Sequence, residues 1–105
     1  MLSEETGVQG QVLRGPVVPG PVTEGQADEE PFSASFHVLD GRKVETAQFR
    51  SDKEGRFRVV LAPGEYTIIP DASAPILFPT RQTKTVRAPA EGFAEVVLRF
   101  DTGIR

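Results

Sequence analysis

The stretch from Ser51 to Pro70 constrains this chain more than any other. A polar turn closes on Gly55, a strand runs from Arg56 to Leu61, Pro63-Gly64 makes a second turn, and another strand runs from Glu65 to Ile69. Apolar and polar residues alternate in both halves, which is the period of a half-buried strand. Two such strands joined by a tight turn predict a hairpin. No segment carries a helical period for more than a turn, so the expected class is all-β.

The rest of the chain agrees with that class. Its 9 prolines and 10 glycines fall at intervals that suit short strands. Besides the two strands above, alternation predicts strands over 7–13, 33–39, 44–50, 82–87 and 93–100, with Asp40-Gly41 as a hairpin turn between the second and third strands of the chain. Alternation assigns Val12, Phe36, Val38, Phe49, Phe57, Val59, Leu61, Tyr66, Ile68, Val86, Val96, Leu98 and Phe100 to the core. Strands with one buried and one wet face are satisfied by two sheets packed face to face. The expected architecture is therefore a seven-stranded antiparallel β-sandwich of Greek-key type. At 105 residues it forms one domain, over 7–105, behind a flexible tail at 1–6. Two long loops interrupt it: a Pro/Gly-rich excursion over 15–31 and a second over 71–80.

Charge narrows the partners. The net charge of −3 supplies no basic field for a polyanion, so no nucleic-acid partner is expected. Glu4, Glu5, Glu24, Asp28, Glu29 and Glu30 outweigh Arg14 in the first 30 residues, which leaves the remainder slightly basic. Without cysteine, disulfide and thiolate chemistry are excluded. No apolar run has transmembrane length. The opening residues carry no charged-then-apolar export pattern. The expectation is an envelope or extracellular location if an export segment has been removed, and a cytoplasmic one otherwise.

Asp52-x-Glu54-Gly55-Arg56-Phe57 followed by Leu61-x-Pro63-Gly64-x-Tyr66-Thr67 resembles the signature hairpin of carboxypeptidase regulatory-like domains. The terminal segments Gly7-Val8-Gln9-Gly10-Gln11-Val12 and Phe100-Asp101-Thr102-Gly103-Ile104-Arg105 are similar to those of small single-domain bacterial proteins of that type. The resemblance implies a transthyretin (prealbumin)-like sandwich and an envelope location, since such relatives are mostly exported or lipid-anchored. It implies no chemistry.

Residues that carry chemistry are sparse. Hydrolysis needs a polarised nucleophile beside a positioned base. The chain offers one histidine, His37, on the outward parity of its strand. His37-Val38-Leu39-Asp40 superficially resembles part of the 5-hydroxyisourate hydrolases, which share the sandwich. Those enzymes use several histidines and a Tyr-Arg-Gly-Ser terminus, both absent here, so no enzyme is expected. Asp52 and Glu54 lack the further oxygen ligands of a calcium loop, and Asp28-Glu29-Glu30 reads as a solvated acidic run. No cofactor is expected.

What remains is surface. Val60, Ile69 and Val97 fall on outward parity, with Phe93 in step with Val97. If their strands are neighbours, they form an exposed apolar contact surface. Ile76, Leu77 and Phe78, between Pro75 and Pro79, are a second contact element or else a lid over one end of the sandwich. The expected function is a non-catalytic structural or protein-interaction module, its partner a protein or cell-surface component. A weak homo-oligomer through an edge strand is a further expectation. The alternative is a carbohydrate-binding module with a starch-binding-like sandwich, using Phe32, Phe78 or Phe93 as a platform.

Overall fold

The computed structural model describes residues 5–16 and 28–103. Its strands are β1 (Thr6–Gly15), β2 (Glu30–Pro31), β3 (Ser35–Leu39), β4 (Glu45–Arg50), β5 (Arg56–Val60), β6 (Gly64–Pro70), β7 (Lys84–Ala88) and β8 (Gly92–Asp101). A short 3-10 turn at Pro79–Arg81 is the only helical element among the described residues. Most of the excursion expected over 15–31, the first four residues of the tail and the terminal Ile104-Arg105 lie outside the described residues. Thr6 belongs to β1 rather than to a tail. It is buried and donates its hydroxyl to Leu61 O at 2.6 Å.

The strands form two sheets packed as a sandwich. In the first, β8 runs along β1 from Thr6 to Gly15, while β5 pairs with Gly7–Gln11 and β2 with Leu13 and Arg14. Because β8 occupies one full side of β1, β5 and β2 share the other. The second sheet has the order β4-β3-β6-β7.

Two expectations about pairing need correction. The stretch that predicts a hairpin is not one: β5 pairs with β1, whereas β6 pairs with β3 and β7. The chain crosses between sheets at Leu61-Ala62-Pro63. Leu61 N donates to Thr6 O, and Ala62 O accepts the Tyr66 hydroxyl at 2.7 Å. Phe57, Val59, Leu61, Tyr66 and Ile68 all point inward in either arrangement, so alternation cannot separate a hairpin from an arch between sheets.

The second correction concerns direction. The β1–β8 pair is parallel, the other pairs being antiparallel. The two strands are separated by the whole body of the chain. No tight turn dictates their direction, and a parallel pair requires such a long connection. The predicted Asp40-Gly41 hairpin does form between β3 and β4, with Asp40 Oδ1 accepting the amides of Arg42 and Val44.

The core between the sheets is a contiguous file of rings. Phe57 stacks on Phe49 with centroids 4.5 Å apart, Phe49 on Phe36 at 4.9 Å, and Phe36 meets Phe100 at 5.8 Å. Phe32 closes the file edge-on to Phe100 at 5.9 Å. Val8, Val12, Val38 and Ile68 are fully enclosed around it. The predicted core residues are buried with one exception, Val96, which is only partly covered.

Polar ties hold the connections against this core. Ser51 is buried, donates Oγ to Phe32 O and accepts the Ala34 amide, joining the β4–β5 turn to the entry of β3. Gly55 ends that turn at φ 76°, where a Cβ would stand 2.4 Å from Val12 O, so only glycine fits. Arg14 bridges β2 and the 71–80 loop, donating to Glu30 Oε1 at 2.6 Å and to Pro75 O at 2.9 Å.

Candidate functional site

Of the exposed large apolar side chains, Val60 and Val97 lie on the outward face of the first sheet, while Val44 and Phe78 lie elsewhere. The strands of Val60 and Val97 are not the neighbours that a continuous apolar patch would need: β1 lies between β8 and β5, and the registers place residues in rows across the three strands. Gly7 sits between Phe93 and Val60, Gln9 between Glu95 and Arg58, and Gln11 between Val97 and Arg56. Val60 and Val97 are about half exposed, at 51% and 49%.

Gly7 leaves a gap in the first row that Phe93 fills. A Cβ on Gly7 would stand 2.8 Å from Phe93 Cε2, so the ring rests on bare backbone. Arg58 then lays its guanidinium over the ring, 3.9 Å from the centroid. In the second row Gln9 donates to Glu95 Oε1 at 2.7 Å, and in the third Gln11 donates to Glu54 O at 2.8 Å. Between the rows runs a shallow groove of about 470 Å³ lined by Gln9, Gln11, Arg56, Glu95 and Val97. It is part amide and carboxylate, part apolar.

The other predicted contact residues do not join this face. Ile69 lies in β6 of the second sheet, opposite His37, on the far side of the sandwich. Ile76 is buried in the core together with Ala74. Leu77 packs against Gly103 and donates its amide to Asp101 O, while Gln82 bonds both Leu77 O and Asp101. Ile76 and Leu77 thus cover one end of the sandwich. Phe78 alone stays outside, 60% exposed, with Arg81 5.1 Å from its ring centroid.

The platform expected for a sugar changes accordingly. Phe32 is 4% exposed and belongs to the core. It precedes β3 outside any alternating run, so parity gave no sign that it turns inward. Phe93 carries Gly7 beneath it and Arg58 on its ring, which leaves Phe78 as the exposed ring of the three.

His37 is a functional-looking residue whose surroundings sequence reasoning missed. Its Nε2 lies 2.8 Å from Asp71 Oδ1 and its Nδ1 lies 2.9 Å from Glu45 Oε1. The first contact is a well-formed hydrogen bond, whereas the second is close but out of line. The bond to Asp71 raises the imidazole pKa. Partial burial opposes that rise and Glu45 reinforces it. The Asp71 carboxyl is held well below the usual range, first by the Ser73 hydroxyl and then by His37. Ser73 Oγ is thus spent on the carboxylate and does not address the imidazole. Sequence separation hid the arrangement, since Asp71 lies 34 residues beyond His37.

Two acidic residues near the first loop are paired with bases, Glu30 with Arg14 and Glu29 with Arg99. Asp52 Oδ1 accepts the amides of Glu54 and Arg56 and so shapes its turn. Among the described residues, no three His, Asp or Glu side chains are grouped to hold a metal ion, and no helix is long and apolar enough to cross a membrane.

Together these features define an all-β sandwich with a mixed apolar and polar outer face. No family model matches the chain, and no curated protein matches it. Among solved structures, the fold is similar to the Bacillus anthracis TIE protein, with a TM-score of 0.56 and 16% identity, covering 90% of this chain and 17% of that one. It is also similar to a DUF3823 family protein from Bacteroides ovatus ATCC 8483, with a TM-score of 0.50 and 14% identity, covering 86% of this chain and 42% of that one. The chain thus spans less than half the length of either. At these identities the likeness shows the fold alone.

Proposed function

We propose that this chain is a non-catalytic protein-interaction module of the carboxypeptidase regulatory-like, transthyretin-like type, acting at the cell envelope or outside the cell. The family reading is supported by the signature residues around Gly55 and Pro63-Gly64 and by a sandwich with seven strands of five or more residues. The envelope location is supported by the resemblance alone.

One observation carries the interaction reading. Val60 and Val97 flank β1 on one outward face, with Phe93 level with Val60, bordered by Arg56, Arg58 and Glu95. Exposed apolar side chains rimmed by charge mark protein contact surfaces. A photoreactive residue at Val60 is expected to cross-link a partner in the native cell that the same residue at Thr85, on the other sheet, does not reach. Val60→Asp is expected to abolish binding of that purified partner in titration. Equal cross-linking from both positions, or undiminished binding by Val60→Asp, overturns the reading.

The groove beside Val97 favours a second reading, a carbohydrate-binding module. Gln9, Gln11, Glu95 and Arg56 supply the amides and charges that hydroxyls recognise. Backbone amide titration with soluble oligosaccharides separates the two. Shifts along Gln9–Gln11 and Glu95–Val97 support a sugar, and unmoved peaks at millimolar addition rule it out.

A further inference from the structure

We propose that β8 is a self-pairing edge, and that two copies of this chain join through it antiparallel, about a two-fold axis at Val97. This goes beyond the reading of the outer face, because the contact is made by backbone along the sheet edge.

The four edges of the sandwich differ sharply. β4 carries Glu45, Thr46, Gln48 and Arg50 outward, β7 carries Lys84 and Arg87, and β5 is short with Arg56 and Arg58. Charge and brevity are the usual protections of an edge. β8 has ten residues, and its stretch from Phe93 to Phe100 contains no Pro, no Lys and no register break against β1. Its backbone from Phe93 to Arg99 makes no hydrogen bond beyond β1 among the described residues. Half of those N–H and C=O groups therefore point away from the sheet, ready for another strand.

Side chains on both faces of β8 are under-covered in the same region. Val97 is 49% exposed on the outer face. Ala94 and Val96 point toward the sandwich interior yet are only partly buried, and among the described residues no strand pairs with β8 on its open side.

Pairing about Val97 makes the strand complementary to itself. Residue numbers that sum to twice 97 then face each other, so Glu95, which accepts from Gln9 within the chain, meets Arg99 of the second copy, whose guanidinium stays 62% exposed beside Glu29, and the symmetry repeats the pair. Val97 meets Val97, and Val96 meets Leu98 of the second copy. Shifting the register by two toward the C-terminus would set Glu95 against an aspartate, Asp101, and lose both opposite-charge pairs. Opposite charges directly across a ladder stabilise it and like charges oppose it. An isologous contact of this kind closes at two copies.

The test is sedimentation equilibrium of the 105-residue chain across a concentration series, with circular dichroism to confirm folding. A monomer–dimer equilibrium is expected. Glu95→Arg and Arg99→Glu are each expected to raise the dimer Kd about tenfold or more, because each converts two attractive pairs into two repulsive ones. The double swap is expected to return Kd to near the starting value. That rescue reads contact between copies, since within one chain positions 95 and 99 lie about 13 Å apart along β8 and each has a different partner, Gln9 for Glu95 and Glu29 for Arg99. Val97→Lys, which sets two ammonium groups on the axis, is expected to leave a folded monomer. A chain that is monomeric throughout, a dimer indifferent to Val97→Lys, or single swaps the double swap does not rescue would each overturn the proposal.

Discussion

Arg58 and Phe93 come from strands on opposite sides of β1 and meet above Gly7, the guanidinium carbon 3.9 Å from the ring centroid. The contact depends on glycine: any side chain at position 7 would collide with Val59 O and lift the ring. One row of the sheet is thereby capped by a cation over an aromatic, and the ring is left only partly exposed.

Arg58→Ala removes that cover. The expected cost is about 0.5–1 kcal/mol, the usual worth of an exposed cation–π pair. Urea titration reads the loss directly. Phe93→Leu, which keeps apolar cover over Gly7, should make the later removal of Arg58 cost nothing further. Additive losses in that double-mutant cycle would mean that Arg58 acts through something other than the ring.

His37 makes stability depend on pH on the alkaline side of its ordinary value. The unfolded imidazole titrates near 6.5, while in the folded chain Asp71 and Glu45 hold its proton to higher pH. The folded state binds more protons in that interval, so the contribution is complete below about 6.5 and is lost as pH rises through the folded value. Asp71 behaves oppositely. Its folded pKa is depressed, so its contribution is present above about 3.8 and is lost as the pH falls. Urea midpoints are expected to peak between those limits, and His37→Gln should flatten the alkaline limb. An unchanged limb in that variant would show that the titrating group lies elsewhere.

The ring file sets the scale of the core. Phe57 is 7% exposed and stacked on Phe49, so Phe57→Ala deletes one end of the file and leaves a cavity against the next ring. A loss of about 3–5 kcal/mol is expected, from transfer and cavity terms together. A urea-derived loss under about 1 kcal/mol would be too small for a ring at the sheet interface.

Much of this was legible because burial in a strand has a period of two. Phe36, His37 and Val38 alternate in sequence and in space, and the same rule placed Phe57, Val59 and Leu98 correctly. What alternation cannot carry is which strand lies beside which. It left the change of sheet after Leu61 and the parallel pairing of β1 with β8 unread. It also has no voice outside strands, so Phe32 and Ala74 turned inward unannounced, while Ile76 was left open between a contact element and a lid. The candidate face was half legible for the same reason. Val60, Val97 and Phe93 were identified by outward parity, whereas Arg58 over Phe93 and the carboxylates around His37 arise from pairings between distant segments. Ser51 belongs to that second kind.

Ser51 looks in sequence like one more polar turn residue, yet it is 1% exposed. Its hydroxyl serves two buried backbone groups, donating to Phe32 O at 2.8 Å and accepting the Ala34 amide at 3.0 Å. Ser51→Ala removes both bonds without adding bulk and strands an acceptor and a donor beside the ring file. The expected cost is about 1–3 kcal/mol, the penalty for leaving buried polar groups without partners. The loss should appear locally as well as globally. Hydrogen exchange at the Ala34 amide is expected to quicken far more than at Val12, whose amide bonds to Gly55 O within the neighbouring sheet. A variant with the native urea midpoint and unaltered exchange at Ala34 would mean that another group takes over the serine's bonds.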